Sequence, residues 1–141
     1  MFSTQKMTVT AWMNVRYFKP TEFRAPFLMG WEFMLWLDNV RALAGVPMSI
    51  VSDSRTPAHN REVGGASESA HVDVPCNAVD VWPAASIHTA ARSDYRFKIV
   101  AAAFARGCTR VGLYKGGHIH LDRGDVTDDG GARPTGVLWV E

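Results

Sequence analysis

Two histidines, His118 and His120, stand two positions apart in the strand-like segment HIHLD. Because side chains alternate between the two faces of a strand, both imidazoles point to one face, where one can bind a metal ion beside the other. The segment SAHVDVPCNAVDVW holds two further candidates, His71 and Asp80. Asp80 lies in an apolar run, where a carboxylate needs a metal ion or a charged partner. Two imidazoles and one carboxylate are a typical ligand set of catalytic zinc, which keeps a fourth position for water.

Each of these residues also has an ordinary structural explanation. A histidine in a β-hairpin is commonly a surface residue or lies at the edge of the core, so His-x-His is a weak motif on its own. Asp80 fits equally well as the buried partner of an arginine. From the residues alone, a metal site and these structural roles remain alternatives.

The elements that position the first candidates follow from hydrophobic periodicity. Residues 32–44 repeat apolar side chains at three- and four-residue steps and end before Gly45, which predicts an amphipathic helix. The run MSIVSDSR predicts a strand that leads into a loop. The polar segment TPAHNREVGGASESA predicts a functional loop of about 15 residues.

The second half of the chain predicts three more strands and a helix. NAVDVW predicts a strand that ends at Pro83, and residues 89–106 predict a second core helix. RVGLY and HIHLD predict a hairpin joined by Lys115, Gly116 and Gly117, with a two-residue Gly-Gly turn, and VLWV predicts a closing strand. This mixed order favours an α+β fold: a single compact domain over residues 1–141, with a variable segment at 1–16. We expect a small antiparallel sheet that carries the metal site, with helices packed on it.

Composition excludes several classes of protein. The 141 residues carry 15 basic and 14 acidic side chains, for a net charge of +1, so there is no electrostatic footprint for nucleic acid. The apolar run FLMGWEFMLWL is interrupted by Glu32 and is far shorter than a membrane span, so we expect no membrane insertion. Two cysteines, Cys76 and Cys108, are too few for a disulfide framework; we interpret them as free core thiols, with a single bridge as the alternative.

A set of motifs in fixed order spans nearly the whole chain. They are YFKPTEF, LDNVRALAGVP, SDSRTPAHNREVGGASESAH, AVD, AAAFARG, RVGLY, HIHLD and Trp139. In this order they resemble the zinc D-alanyl-D-alanine carboxypeptidase and phage endolysin peptidase family, whose zinc domain is also similar to the signalling domain of hedgehog proteins. The ordered combination is far more specific than any one of its members.

The resemblance implies a role for each matching residue. His71, Asp80 and His120 match the three zinc ligands of the family, and Ser69 matches the serine that lines its substrate cleft. Arg55 matches the arginine that binds a substrate carbonyl or carboxylate, a task that suits a planar guanidinium with five donors.

The catalytic base is where the chain departs from the family. His118 falls where the carboxypeptidase branch has a histidine near the zinc, which makes it the candidate for proton transfer or oxyanion stabilisation. Other branches have an acidic residue slightly upstream, where this chain has Gly116 and Gly117. Asp73 and Asp122 are candidates for carboxylates that orient a ligand imidazole. The identity of the base stays open at this point.

The resemblance implies a zinc peptidase that cleaves stem or cross-link peptides of bacterial peptidoglycan, as a carboxypeptidase or an endopeptidase. We expect Zn²⁺ as the cofactor, peptidoglycan peptides as substrates and, in a virion, other phage proteins as partners. The N-terminus lacks the pattern of a secretory signal, so we expect synthesis in the cytoplasm and action on the cell wall after holin-type release or as part of a virion. The alternative is a zinc-binding structural or binding protein without catalysis.

Overall fold

The computed structural model describes residues 4–124 and 133–141 of the chain. The helices within these residues are α1 (Val9–Trp12), α2 (Trp31–Ala44), α3 (Pro57–Glu62) and α4 (Ser93–Ala105), with single 3₁₀ turns at Pro20–Glu22, Pro26–Leu28 and Ala70–Val72. The strands are β1 (Ser49–Ser52), β2 (Ala78–Trp82), β3 (Arg110–Leu113), β4 (Ile119–Asp122) and β5 (Val137–Val140). The fold is therefore α+β, as the sequence predicts.

The five strands form one sheet in the order β1-β2-β4-β3-β5. The β1–β2, β2–β4 and β4–β3 pairs are antiparallel, whereas β5 joins β3 in parallel. The sequence predicts a closing strand there but not its direction. The two central strands, β2 and β4, come from distant parts of the chain, so the sheet brings their side chains together.

The two faces of the central strands differ sharply in chemistry. On one face, Val79 pairs with Leu121 and Val81 pairs with Ile119, and all four are fully buried. They share one core cluster with buried side chains of both long helices, which are Phe33, Met34, Leu37 and Val40 of α2 and Ile99, Ala102 and Ala103 of α4. Full burial of each large apolar side chain contributes roughly 1.5–3 kcal/mol. This core fixes the positions of β2 and β4, whose opposite face carries polar side chains.

The N-terminal residues belong to this core. Met7, Ala11 and Trp12 are buried, and the Trp12 indole donates a hydrogen bond to the Pro26 carbonyl at 3.1 Å. Thr8 caps α1 by accepting the backbone N–H of Ala11. None of the described helices is long and apolar enough to cross a bilayer.

The segment predicted as a polar loop contains a short helix. Thr56 accepts the backbone N–H of His59 and Pro57 occupies the first helical position, so α3 begins with a favourable cap and a preset φ. Asn60 closes the following turn by donating to the Ala66 carbonyl at 2.8 Å. The prediction of a loop over residues 56–70 was therefore wrong for its first half, where Thr-Pro is a recognisable helix start.

The β3–β4 hairpin is connected by the predicted residues Lys115, Gly116 and Gly117, but its turn differs from the predicted one. Tyr114 donates its backbone N–H to His118, and Gly117, with φ +112°, donates to Tyr114. The loop therefore consists of three residues, Lys115 to Gly117, instead of a two-residue Gly-Gly turn. With this loop His120 faces Gly112, and Asp122 faces Arg110.

Candidate metal centre

Three candidate ligands from separate elements converge on the polar face of the sheet. His71 lies in the 3₁₀ turn Ala70–Val72, Asp80 in β2 and His120 in β4, and all three are buried. The distances are 3.4 Å from His71 Nε2 to Asp80 Oδ1, 2.9 Å from His120 Nδ1 to the same oxygen, and 3.2 Å between the two ring nitrogens. Among residues 4–124 and 133–141, this is the group of His, Cys, Asp or Glu side chains able to hold a metal ion.

The donor set and its spacing suit a zinc ion. At zinc bond lengths of about 2.0–2.2 Å, the ligand atoms of a tetrahedral site lie roughly 3.3–3.6 Å apart. The three observed separations of 2.9 to 3.4 Å are close to that spacing. Three protein ligands leave one tetrahedral position for water or substrate.

His71 is oriented by hydrogen bonds at both its backbone and its ring. Ser69 accepts the His71 backbone N–H at 3.3 Å and so caps the turn that carries it. The His71 Nδ1 atom lies 2.7 Å from the Asp53 carbonyl oxygen. A carbonyl oxygen only accepts, so Nδ1 carries the proton and the lone pair of Nε2 faces the site.

His120 is held by a carboxylate behind it. Its Nε2 lies 2.6 Å from Asp122 Oδ2, and Asp122 is fully buried. The other oxygen of Asp122 accepts hydrogen bonds from Arg110 Nε at 2.7 Å and from the Gly124 backbone at 3.0 Å. This arrangement orients the imidazole so that Nδ1 faces Asp80 and His71.

The pKa values of these groups reflect their mutual contacts. Burial disfavours the charged form of His120, but hydrogen bonds to Asp122 and Asp80 outweigh it and raise its pKa to about 9. Burial opposes ionisation of Asp80 as well, yet its hydrogen bonds to His120 and His71 hold its pKa well below the usual range. The pKa of Asp122 is also lowered, because its bond to His120 and the charge of Arg110 overcome burial.

The triad opens onto a cavity of about 820 Å³. Arg55 lines it, with Nε bonded to Ser52 at 3.1 Å and Nη1 bonded to Asn60 at 3.2 Å. Its Nη2 lies 3.5 Å from Asp80 Oδ2. The guanidinium is therefore anchored through Nε and Nη1, and its Nη2 nitrogen is directed to the metal centre. Ser69 also lines this cavity.

His118 lines the same cavity but does not belong to the triad. It lies one residue before β4, and its ring is stacked on Tyr114 with centroids 4.2 Å apart. Burial lowers the pKa of His118, and the positive charge of Arg96 acts in the same direction. The ring is therefore neutral near pH 7 and available to accept a proton.

Trp139, the last of the ordered motifs, contacts the site, and two groups that the sequence does not indicate, Arg110 and the Asp53 carbonyl, lie behind two of the ligands. Trp139 of β5 crosses Gly112, where an added Cβ would lie 2.5 Å from the indole, and contacts the His120 ring at 5.2 Å. Arg110 lies behind Asp122, and the Asp53 carbonyl lies behind His71. A correct hairpin register would have identified Arg110, whereas a backbone carbonyl leaves no signal in sequence.

One of the two candidate orienting carboxylates has a different partner. Asp122 contacts His120, but Asp73 forms a buried bidentate ion pair with Arg133, at 2.6 and 2.8 Å. Arg133 also donates to the Glu68 and Gly124 carbonyls. Asp73 therefore joins the segment around His71 to the C-terminal residues and does not orient an imidazole.

Comparison with known proteins identifies a family match. The family model described as peptidase M15 matches residues 5–122, a range that contains all three candidate ligands, Arg55 and His118. No curated protein matches the chain.

Proposed function

The chain belongs to the peptidase M15 family of metallopeptidases, and we propose that it is a zinc enzyme that hydrolyses peptide bonds in peptidoglycan stem or cross-link peptides. One observation carries this proposal: the triad of His71, Asp80 and His120 faces a cavity of about 820 Å³ that Arg55 and His118 also line. A structural zinc site is usually closed by four protein ligands, whereas three ligands facing a cavity are typical of a catalytic site.

Arg55 and His118 then have defined tasks in the proposed reaction. When bound, zinc supplies Lewis-acid polarisation of the scissile carbonyl and lowers the pKa of water to about 7. Arg55 holds a substrate carbonyl or carboxylate through N–H groups that Ser52, Asn60 and Asp80 leave unused. His118 accepts a proton from the nucleophile or donates a hydrogen bond to the developing oxyanion, since its ring is neutral near pH 7.

Peptidoglycan as the substrate is supported by the ordered motifs that resemble D-alanyl-D-alanine carboxypeptidases and phage endolysin peptidases. The same resemblance supports a role in lysis or within a virion. Carboxypeptidase and endopeptidase action differ in whether Arg55 meets a terminal carboxylate or an internal carbonyl. A guanidinium binds both, so the two activities are separated by assay.

The experiment is hydrolysis of purified sacculi by zymography, with parallel assays on a stem pentapeptide and on cross-linked muropeptides. We expect product release, as clearing of sacculi by an endopeptidase or as free D-alanine from a carboxypeptidase, that chelator abolishes and zinc restores. Release of terminal D-alanine alone identifies a carboxypeptidase, and loss of cross-linked dimers identifies an endopeptidase. Release of either product that survives complete removal of metal would overturn the proposal.

A non-catalytic zinc-binding protein of the same fold is the second candidate. Gly116 and Gly117 occupy the region where other branches have an acidic residue, which favours it. Such a protein would bind zinc and sacculi without releasing any product. Turnover, and not metal content, therefore separates the two candidates.

A further inference from the structure

Asp53 is a buried carboxylate next to the metal centre that the proposed reaction does not use. It follows β1 and is 4% exposed. Its Oδ1 accepts the backbone N–H of Arg24 at 3.2 Å, and its Oδ2 accepts that of Ala25 at 2.8 Å. One side chain thus fixes two consecutive peptides of the N-terminal part of the chain.

The backbone of the same residue holds a candidate ligand. The Asp53 carbonyl accepts the Nδ1–H of His71 at 2.7 Å, and the His71 carbonyl accepts the backbone N–H of Arg55 at 2.7 Å. These two bonds join the residues after β1 to the turn that carries His71. The first of them selects the tautomer in which Nε2 faces Asp80 and His120.

We propose that Asp53 is a positioning residue for the metal centre: its carboxylate, anchored on Arg24 and Ala25, holds its own carbonyl where that oxygen orients His71. The inference rests on the proposed function only in assuming that the triad binds metal. It links docking of the N-terminal segment to the geometry of His71.

The link follows from the hydrogen bonds that would be lost without the Asp53 carboxylate. Without the carboxylate, the N–H groups of Arg24 and Ala25 lose their acceptor, and the cost of that loss favours rearrangement of the segment. The peptide group of Asp53 is then less restrained, and the His71 ring loses a fixed acceptor. Loss of a partner that orients a metal-bound imidazole typically weakens metal binding about 10–100-fold.

Asp38 provides a matched control within the same chain. It is 3% exposed and accepts the backbone N–H groups of Arg16 and Tyr17 at 2.9–3.2 Å. It therefore anchors the N-terminal segment through backbone N–H groups as Asp53 does, and it also pairs with the Arg16 guanidinium at 2.9 Å, but it lies in α2 and its partners include no candidate ligand. A general loss of stability should follow from either substitution, whereas a loss of metal affinity should follow only from the change at Asp53.

The test compares Asp53→Ala and Asp53→Asn with Asp38→Ala and Asp38→Asn. Three quantities are measured: the zinc dissociation constant by competition with a chromogenic chelator, the thermal midpoint in EDTA, and the tautomer of His71 by ¹⁵N NMR of the metal-free protein. We expect Asp53→Ala to raise the dissociation constant about 10–100-fold and to reduce the Nδ1–H tautomer of His71. Asp53→Asn should have a smaller effect, because its amide oxygen still accepts one N–H, and it serves as the variant of choice if Asp53→Ala does not fold.

Asp38 variants should lower the thermal midpoint and leave the dissociation constant within about twofold, since no ligand imidazole depends on them. Zinc affinity and His71 tautomer that match those of the Asp38 variants would overturn the proposal. The outcome is independent of catalysis. A wild-type protein that binds zinc without hydrolysing sacculi would overturn the proposed function alone, and the tautomer measurement tests Asp53 even if zinc binding is absent.

Discussion

The imidazole of His118 lies parallel to the phenol ring of Tyr114, with centroids 4.2 Å apart and 10° between their planes. The stack fixes the direction of the ring that we assign to proton transfer or oxyanion stabilisation. Tyr114 is half-buried, and burial and the charge of Asp80 raise the pKa of its hydroxyl to about 12. The hydroxyl therefore stays protonated at any pH at which the enzyme would be assayed.

Substitutions of Tyr114 should distinguish the contribution of its ring to kcat from that of its hydroxyl. Stacking needs the ring alone and is worth about 0.5–1.5 kcal/mol, so Tyr114→Ala should lower kcat up to about tenfold while Tyr114→Phe stays near wild type. Steady-state kinetics on a stem peptide gives both values. If Tyr114→Phe is as slow as Tyr114→Ala, the hydroxyl and not the stack is the important group.

His118→Ala should keep its zinc and lose about 10²–10⁴ in turnover, the usual contribution of general acid–base catalysis. His118 is outside the triad, so metal content by atomic absorption should be unchanged. His88→Ala, at an exposed histidine, is the control and should behave as wild type. Hydrolysis by His118→Ala at the wild-type rate would remove His118 from the mechanism.

Replacing one ligand should remove zinc and activity together. His71→Ala, Asp80→Ala and His120→Ala each leave two protein ligands, too few to hold zinc tightly. Metal content after dialysis and clearing on sacculi measure the two losses. Asp94→Ala, at an exposed carboxylate, controls for the loss of a charge. Full zinc occupancy in His120→Ala would show that the triad is not the metal site.

Gly112→Ala should displace Trp139. The new Cβ would lie 2.5 Å from the indole, and overpacking of this kind typically costs about 1–3 kcal/mol of stability. Denaturant unfolding measures that cost, and we expect a raised KM because the indole lines the cavity. In a Trp139→Ala background the same substitution should cost much less, since the clash is absent. Equal costs in the two backgrounds would rule out the clash as the cause.

The two cysteines should be unreactive in the native protein. Both are free and buried, and burial raises the pKa of each thiol, so almost no thiolate is present at pH 8. Iodoacetamide followed by mass spectrometry should show no addition under native conditions and two additions in guanidinium chloride without reductant. A single bridge, the alternative left open by the sequence, would show no addition in either condition.

The sequence predicts the candidate ligands better than it predicts the hydrogen bonds that orient those ligands. Asp80 stands out because a carboxylate interrupts the apolar run of β2, and β4 alternates His120 with the core residues Ile119 and Leu121. Period-two alternation is a local signal, so the polar face of each central strand can be predicted without knowledge of the pairing. The order of the strands and the parallel direction of β5 depend on long-range contacts that have no such local signal.

The length of the β3–β4 loop decides whether Arg110 lies opposite Asp122, and a change of one residue in that length removes the contact. A two-residue turn at Gly116-Gly117 would place His120 opposite Leu113 and Asp122 opposite Val111. The observed three-residue loop instead places Arg110 opposite Asp122, where it forms an ion pair at 2.7 Å. Both loop lengths fit the glycine pattern, so the sequence alone does not select the register that joins Arg110 to His120 through Asp122.

Asp80 and His120 are paired across the two central strands, so the geometry of the metal centre depends on the register between β2 and β4. A shift of one residue between β2 and β4 would turn one ligand toward the apolar core and bring a valine or isoleucine to the site. Single-residue insertions or deletions inside these nine residues (five in β2 and four in β4) should therefore eliminate the protein's activity. Insertions in the loop between β2 and α4, where residues 87–90 are exposed and do not line the cavity, should be accepted in a library screened for activity. The positions at which viable clones carry insertions would then show which residues must keep the register of β2 and β4.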